Sequence, residues 1–204
     1  MKVAIINYGM GNLGSVRRAF EDLGAETIIA STPDDLLKVD KIVLPGVGAF
    51  TQGMARLSAE GWVPALHNAV INRKTPILGI CLGMQMLATQ GYEGGQTEGL
   101  GFIPGEIQKL DNLGCKLRLP HVGWNEVYYP SVGEIFACIN SATDFYFVHS
   151  YAFVPDSEEY IRAIVNYGTE IVAAIQKSHI FGCQFHPEKS SKAGRQLLKN
   201  FLNY

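Results

Sequence analysis

Pro76-Ile77-Leu78-Gly79-Ile80-Cys81-Leu82-Gly83-Met84-Gln85 joins an apolar run to a helix-forming run through one cysteine with a glycine two residues to either side. The five residues before the cysteine carry no polar side chain, as in a strand of a parallel sheet covered on both faces. Leu82 to Gln90 then reads as a helix. A residue between a strand end and a helix start sits on a sharp, strained turn. Glycines at i−2 and i+2 let that turn approach its neighbours without a Cβ clash. Cys81 would meet the free N–H groups of the helix start, which favour a thiolate. The Leu82 N–H points to where an oxyanion would form. A free cysteine more often packs as a small buried hydrophobe, and the paired glycines argue against that here.

Working outward from Cys81, the preceding chain alternates strand and helix signals. Strands are expected at Val3–Asn7, Glu26–Ala30 and Lys41–Leu44, the last running into Pro45-Gly46-Val47-Gly48. Helices are expected over Leu13–Leu23, with Val16, Phe20 and Leu23 on one face and Gly24 as its stop, and over Gln52–Leu57 and Val63–Arg73. After Gly91 short β-rich runs follow, at Gly105–Leu110, Asn125–Tyr129, Asp144–Tyr151, Tyr160–Tyr167, Ile171–Lys177 and Ile180–Phe185. Ser190–Phe201 closes as a helix, with Ala193, Leu197, Leu198 and Phe201 inward. The expected fold is α/β. Residues 1–204 form one domain with a mostly parallel central sheet flanked by helices, and antiparallel hairpins join one end of that sheet in the C-terminal half.

Composition narrows the function classes. With 17 basic and 19 acidic residues and no basic block, neither nucleic acid nor a membrane surface has electrostatic support as a partner. No run approaches the roughly 20 apolar residues of a membrane span. Cys81, Cys115, Cys138 and Cys183 form no CxxC pair, which argues against a structural zinc site or a redox dithiol. The last three are expected to be structural. The start of the chain lacks a signal-peptide core, so a reduced, cytoplasmic setting is expected.

Gly9-Met10-Gly11-Asn12-Leu13-Gly14 spells GxGxxG between a strand and a helix, the local context of a dinucleotide fingerprint. The second strand, however, ends in Ile28-Ile29-Ala30-Ser31, with no acid to hold ribose hydroxyls. A plain strand-to-helix turn is the expected reading.

A thiol nucleophile needs a base. Of the five histidines, His67 falls in a helical stretch, His179 in a turn, and His121 reads as structural. His186 ends an apolar run and is followed by Pro187-Glu188. A carboxylate on one ring nitrogen would leave the other facing the thiol and stabilise an imidazolium. Cys81, His186 and Glu188 therefore form the candidate nucleophile, base and orienter.

With these motifs in place, the sequence resembles the class I glutamine amidotransferases, whose fold is flavodoxin-like. More narrowly it is similar to the glutaminase subunits of imidazole glycerol phosphate synthases. The similarity runs through residues 7–12, 44–50, 79–85, Pro120-His121-Val122-Gly123-Trp124-Asn125 and His186-Pro187-Glu188-Lys189-Ser190. It implies that L-glutamine is hydrolysed through a Cys81 thioester, with no cofactor or metal. It places the oxyanion hole at the N–H groups of Leu82 and Val47. It gives Gly48, Gln85, Glu93, Ser150 and Tyr151 to substrate glutamine. It also implies a partner, a separate (β/α)₈-barrel cyclase subunit that takes the ammonia in histidine biosynthesis, with Trp124, Asn125 and Lys189 at that interface. The alternative is a paralogue that supplies ammonia to another amidation, such as one on a surface sugar.

Overall fold

A computed structural model of the chain describes residues 1–129 and 133–204. Its elements in the first half are β1 (Lys2–Ile6), α1 (Leu13–Glu21), β2 (Glu26–Ala30), β3 (Lys41–Gly46), α2 (Phe50–Ala59), α3 (Trp62–Leu66), β4 (Ile77–Cys81) and α4 (Leu82–Met86). There follow β5 (Gln90–Gly91), β6 (Thr97–Glu98), β7 (Gly105–Lys109), β8 (His121–Tyr128), β9 (Thr143–His149), β10 (Tyr151–Pro155), β11 (Ile161–Asn166), β12 (Glu170–Lys177), β13 (Ile180–Cys183) and α5 (Ser191–Asn203). A π-helical turn, His67–Asn72, extends α3. Among the described residues no helix is long and apolar enough to cross a membrane.

Among the described residues a nine-stranded sheet runs in the order β2-β1-β3-β4-β13-β12-β11-β8-β9. The strands from β2 to β13 pair in parallel; those from β13 to β9 pair antiparallel. Alternation along β1 shows how two cores arise from one strand. Val3 and Ile5 join the cluster under α1 and α5, while Ala4 and Ile6 join the cluster under α2, α3 and α4. Each large side chain fully buried this way contributes about 1.5–3 kcal/mol.

Beyond Cys81 the structure departs from the sequence reading in four ways. The antiparallel strands do extend the sheet, but a second four-stranded sheet, β10-β7-β5-β6, covers one face. The single run expected at Asp144–Tyr151 breaks at Ser150, so that β9 stays in the main sheet while β10 pairs with β7. The helix expected to reach Gln90 ends at Met86, because the carbonyls of Met86, Leu87 and Ala88 accept N–H groups from Leu100, Gly101, Phe102 and Ile103. The loop that feeds the second sheet thus captures the acceptors a longer helix would have used. Strand β8 also starts four residues before the expected Asn125, since His121 pairs with His149.

Candidate active site

Cys81 closes β4 with φ 54° and ψ −110°, a left-handed backbone that only glycine adopts freely. The two motif glycines allow it by touching each other. A Cβ on Gly79 would lie 2.7 Å from the Gly83 carbonyl carbon and oxygen. A Cβ on Gly83 would lie 1.7 Å from the Leu44 carbonyl oxygen of β3. The parallel register then sets Gly46 beside Cys81, so that the Val47–Gly48 turn leaves β3 at the thiol.

A cavity of about 320 Å³ opens at Cys81. Val47, Gly48, Leu82, Gln85, Glu93, Ser150 and Tyr151 all line it, together with Cys81 and His186. The expected nucleophile, base, oxyanion loop and substrate residues are therefore brought to one place by five different segments. Gln85 donates from Nε2 to the Tyr151 carbonyl and to Gln184 Oε1, both at 3.0 Å, so Oε1 is the atom it can turn to a ligand. Glu93 has a second task. Its carboxylate accepts the Phe50 N–H at 2.7 Å and so caps α2, whose flanking Ala49 has no oxygen to offer.

His186 and Glu188 form a buried pair. Nδ1 lies 2.8 Å from Oε1, with side chains 3% and 2% exposed. His186 Nε2 and Glu188 Oε2 are buried and make no hydrogen bond among the described residues. Nε2 is left for the thiol side of the ring. Burial by itself lowers the imidazole pKa, but the adjacent Cys81 sulfur and the Glu188 carboxylate bound to Nδ1 more than offset it and raise it to about 9. A pKa raised above the usual 6.5 stabilises the fold fully below about 6.5, and that contribution is lost as pH rises through about 9. The melting temperature should fall over that window in the wild type and much less in Glu188→Gln. Parallel melting curves for the two proteins would contradict the pairing.

Gln184 was not foreseen. It is fully buried and donates from Nε2 to Cys81 Sγ at 3.7 Å. Its one sequence signal is a polar residue inside the apolar run Ile180–Phe185. Cys183 and Cys115 are buried, as a structural role requires, whereas Cys138 is exposed. Burial pushes the Cys183 thiol well up, aided by Glu188 and Cys81, so it stays protonated.

The three interface candidates separate. Trp124 is 54% exposed, its ring edge-on to Tyr146 at 6.0 Å, and Lys189 Nζ sits 5.7 Å from the same tyrosine ring. Asn125 points to the opposite face of β8, where Nδ2 donates to the Asn166 carbonyl. Val122 and Tyr128 join Trp124 on the exposed face, 55% and 41% accessible.

The Gly9–Gly14 turn packs against the Val47 loop rather than presenting a fingerprint. A Cβ on Gly48 would meet the Met10 methyl at 2.9 Å. Gly14, which in a dinucleotide fold lets the helix approach its strand, has nothing within 4 Å of its Cβ position. Asp35, an acid just beyond β2, is held by the N–H groups of Ser31 and Thr32.

Residues 4–203 match the class I glutamine amidotransferase family. The chain is 48% identical over 200 residues to an imidazole glycerol phosphate synthase subunit HisH 1 of Campylobacter jejuni, covering 98% of both. It is 46% identical to the subunit HisH of Moorella thermoacetica, covering 98% of this chain and 93% of that one. Among solved structures, PurLQS from Thermotoga maritima superposes with a TM-score of 0.78 at 19% identity, covering 100% and 98% of the two chains. A glutamine amidotransferase from Thermotoga maritima gives 0.68 at 18%, covering 100% and 83%. These last two likenesses are of fold.

Proposed function

The chain belongs to the class I glutamine amidotransferase family, and we infer that it is the glutaminase subunit of an imidazole glycerol phosphate synthase, acting in histidine biosynthesis. The observation that carries the chemistry is a thiol on a strained turn, in a cavity shared with a buried His–Glu pair. In this reading Cys81 gives its proton to His186 and attacks the side-chain amide carbon of glutamine. The Leu82 and Val47 N–H groups hold the oxyanion. His186 returns the proton to the departing nitrogen, and ammonia leaves as the thioester forms. Water then loses a proton to His186 and attacks the thioester; glutamate departs and Cys81 recovers its proton. Glu188 orients the ring and stabilises its charged form. Gln85 Oε1 suits the substrate's α-ammonium group, and Gly48, Glu93, Ser150 and Tyr151 complete the substrate wall.

The relatives are named as subunits, which implies a partner subunit for this chain. We take that partner to be a (β/α)₈-barrel cyclase that receives the ammonia. The exposed Val122–Trp124–Tyr128 face, with Lys189 beside it, supports a docking role. The relatives' names favour the histidine pathway over the sugar-amidation alternative.

An electrophilic ketone analogue of glutamine tests the reading. With the cyclase present it should add its mass to the peptide that contains Cys81, and excess glutamine should protect. No adduct, or an adduct only at exposed Cys138, would refute it.

A further inference from the structure

His121 is 2% exposed, and no step above uses it. Its ring lies between Phe147 (centroids 4.8 Å, planes 18° apart) and Tyr167 (4.0 Å, 19°), which fixes its plane. Strand register sets it opposite His149, which lines the cavity with Cys81 and His186.

The hydrogens along this line have one consistent arrangement. The Tyr151 carbonyl lies 2.8 Å from His149 Nδ1 and can only accept, so Nδ1 of His149 carries the hydrogen. Burial lowers the His149 pKa to about 3 and that of His121 to about 4, so both rings are neutral near pH 7. His149 Nε2 is then a lone pair, and His121 Nδ1, 3.0 Å away, donates to it. His121 Nε2 in turn accepts from Asn125 Nδ2 at 3.4 Å. Asn125 cannot be turned over, because its Oδ1 accepts the Glu126 N–H and its Nδ2 donates to the Asn166 carbonyl, both at 2.9 Å.

This line ends on the carbonyl that also anchors Gln85. With both nitrogens occupied, His149 cannot compete with His186 for the Cys81 proton, nor set a second positive charge beside it. We propose that His121 is a positioning residue for glutamine hydrolysis: its Nδ1 hydrogen holds the His149 ring, and through that ring the Tyr151 carbonyl and the Gln85 amide that form the substrate wall. The proposal rests on the glutaminase reading. Without the donor, His149 keeps a buried lone pair with no partner. A tautomer change or ring rotation relieves that, and either one breaks the bond to Tyr151.

Two variants separate positioning from packing. His121→Phe keeps the stack between Phe147 and Tyr167 and deletes the donor. His121→Asn places an amide Nδ2 where the ring Nδ1 was. Steady-state kinetics with the cyclase present should show glutamine KM raised about tenfold in His121→Phe, the worth of about one hydrogen bond, with kcat changed less. His121→Asn should recover most of the loss. Nitrogen-15 imidazole spectra of the wild type should show His149 neutral with its hydrogen on Nδ1. An unchanged KM in His121→Phe, an equal loss in both variants, or a His149 hydrogen on Nε2 would each overturn the proposal. A wild type that hydrolyses no glutamine would instead defeat the glutaminase reading, and the His149 tautomer would still decide the hydrogen-bond line. If His121→Phe does not fold, His121→Asn and the wild-type spectrum decide.

Discussion

Cys81→Ser should lower glutamine hydrolysis by at least about 10³-fold while leaving the fold intact. The two side chains differ by one atom, and Cys81 is only 6% exposed, so packing barely changes. What changes is the nucleophile. In the proposed reaction His186 holds the proton drawn from the thiol, because against the lowering effect of burial the Cys81 sulfur and Glu188 raise its pKa to about 9. A serine hydroxyl is a far weaker acid, so the same imidazole draws too little charge onto oxygen. A second variant isolates backbone strain from chemistry. Cys81→Gly removes the nucleophile too, but it relieves a residue held at φ 54°, and should raise stability by about 1 kcal/mol. Glutamate release with the cyclase present, alongside thermal melting, measures both effects. Serine activity within tenfold of wild type would remove Cys81 from the mechanism.

Gly83→Ala should be the most disruptive single methyl group in the site. The added carbon would sit 1.7 Å from the Leu44 carbonyl oxygen and 2.8 Å from its carbon. Both atoms are backbone of the buried strand β3, so no rotamer change relieves the overlap. Either β3 or the turn must move. Because β3 leads directly into the Val47–Gly48 loop, the displacement reaches the cavity that this loop lines beside Cys81. We expect a loss of at least about 3 kcal/mol, a fall in melting temperature of about 6–12 °C for a chain of this size, and loss of turnover with it. Gly14→Ala is the control: its Cβ position is open and lies within α1, so the same change should be neutral or stabilising. A Gly83→Ala protein that melts with the wild type would show that the glycine is not needed for close packing.

Much of this was legible in the chain. Continuous apolar runs at β1, β3 and β4 signalled a buried parallel sheet, because strands covered on both faces need no polar alternation. The Gly79–Cys81–Gly83 spacing signalled the turn, because only glycine tolerates contacts as close as those found there. The His-Pro-Glu sequence signalled the buried pair, because one residue, Pro187, separates its members and a tight turn brings them together. These features depend on neighbours in sequence, and local patterns carry them.

Long-range pairing was not legible in the same way. Ser150 breaks a run that looks continuous, because β9 and β10 find partners in different sheets. Leu82–Gln90 has helix-forming residues, yet the loop at residues 100–103, leading into the second sheet, takes its acceptors after five of them. Asn125 follows Trp124 immediately, and the strand's period of two sends one outward and the other inward once the register is set. Gln184 meets the thiol across 103 residues, and His121 meets His149 across 28.

The sequence by itself determined that Cys81 stands on a glycine-flanked turn and that His186 pairs with Glu188, since each of those depends on steric limits within a few residues. The tertiary structure alone decided what surrounds that thiol: the Val47 loop, the buried Gln184, and the paired histidines His121 and His149 at the cavity wall. Those depend on which strands pair and in what register, and pairing is settled by burial and hydrogen-bond satisfaction over the whole chain.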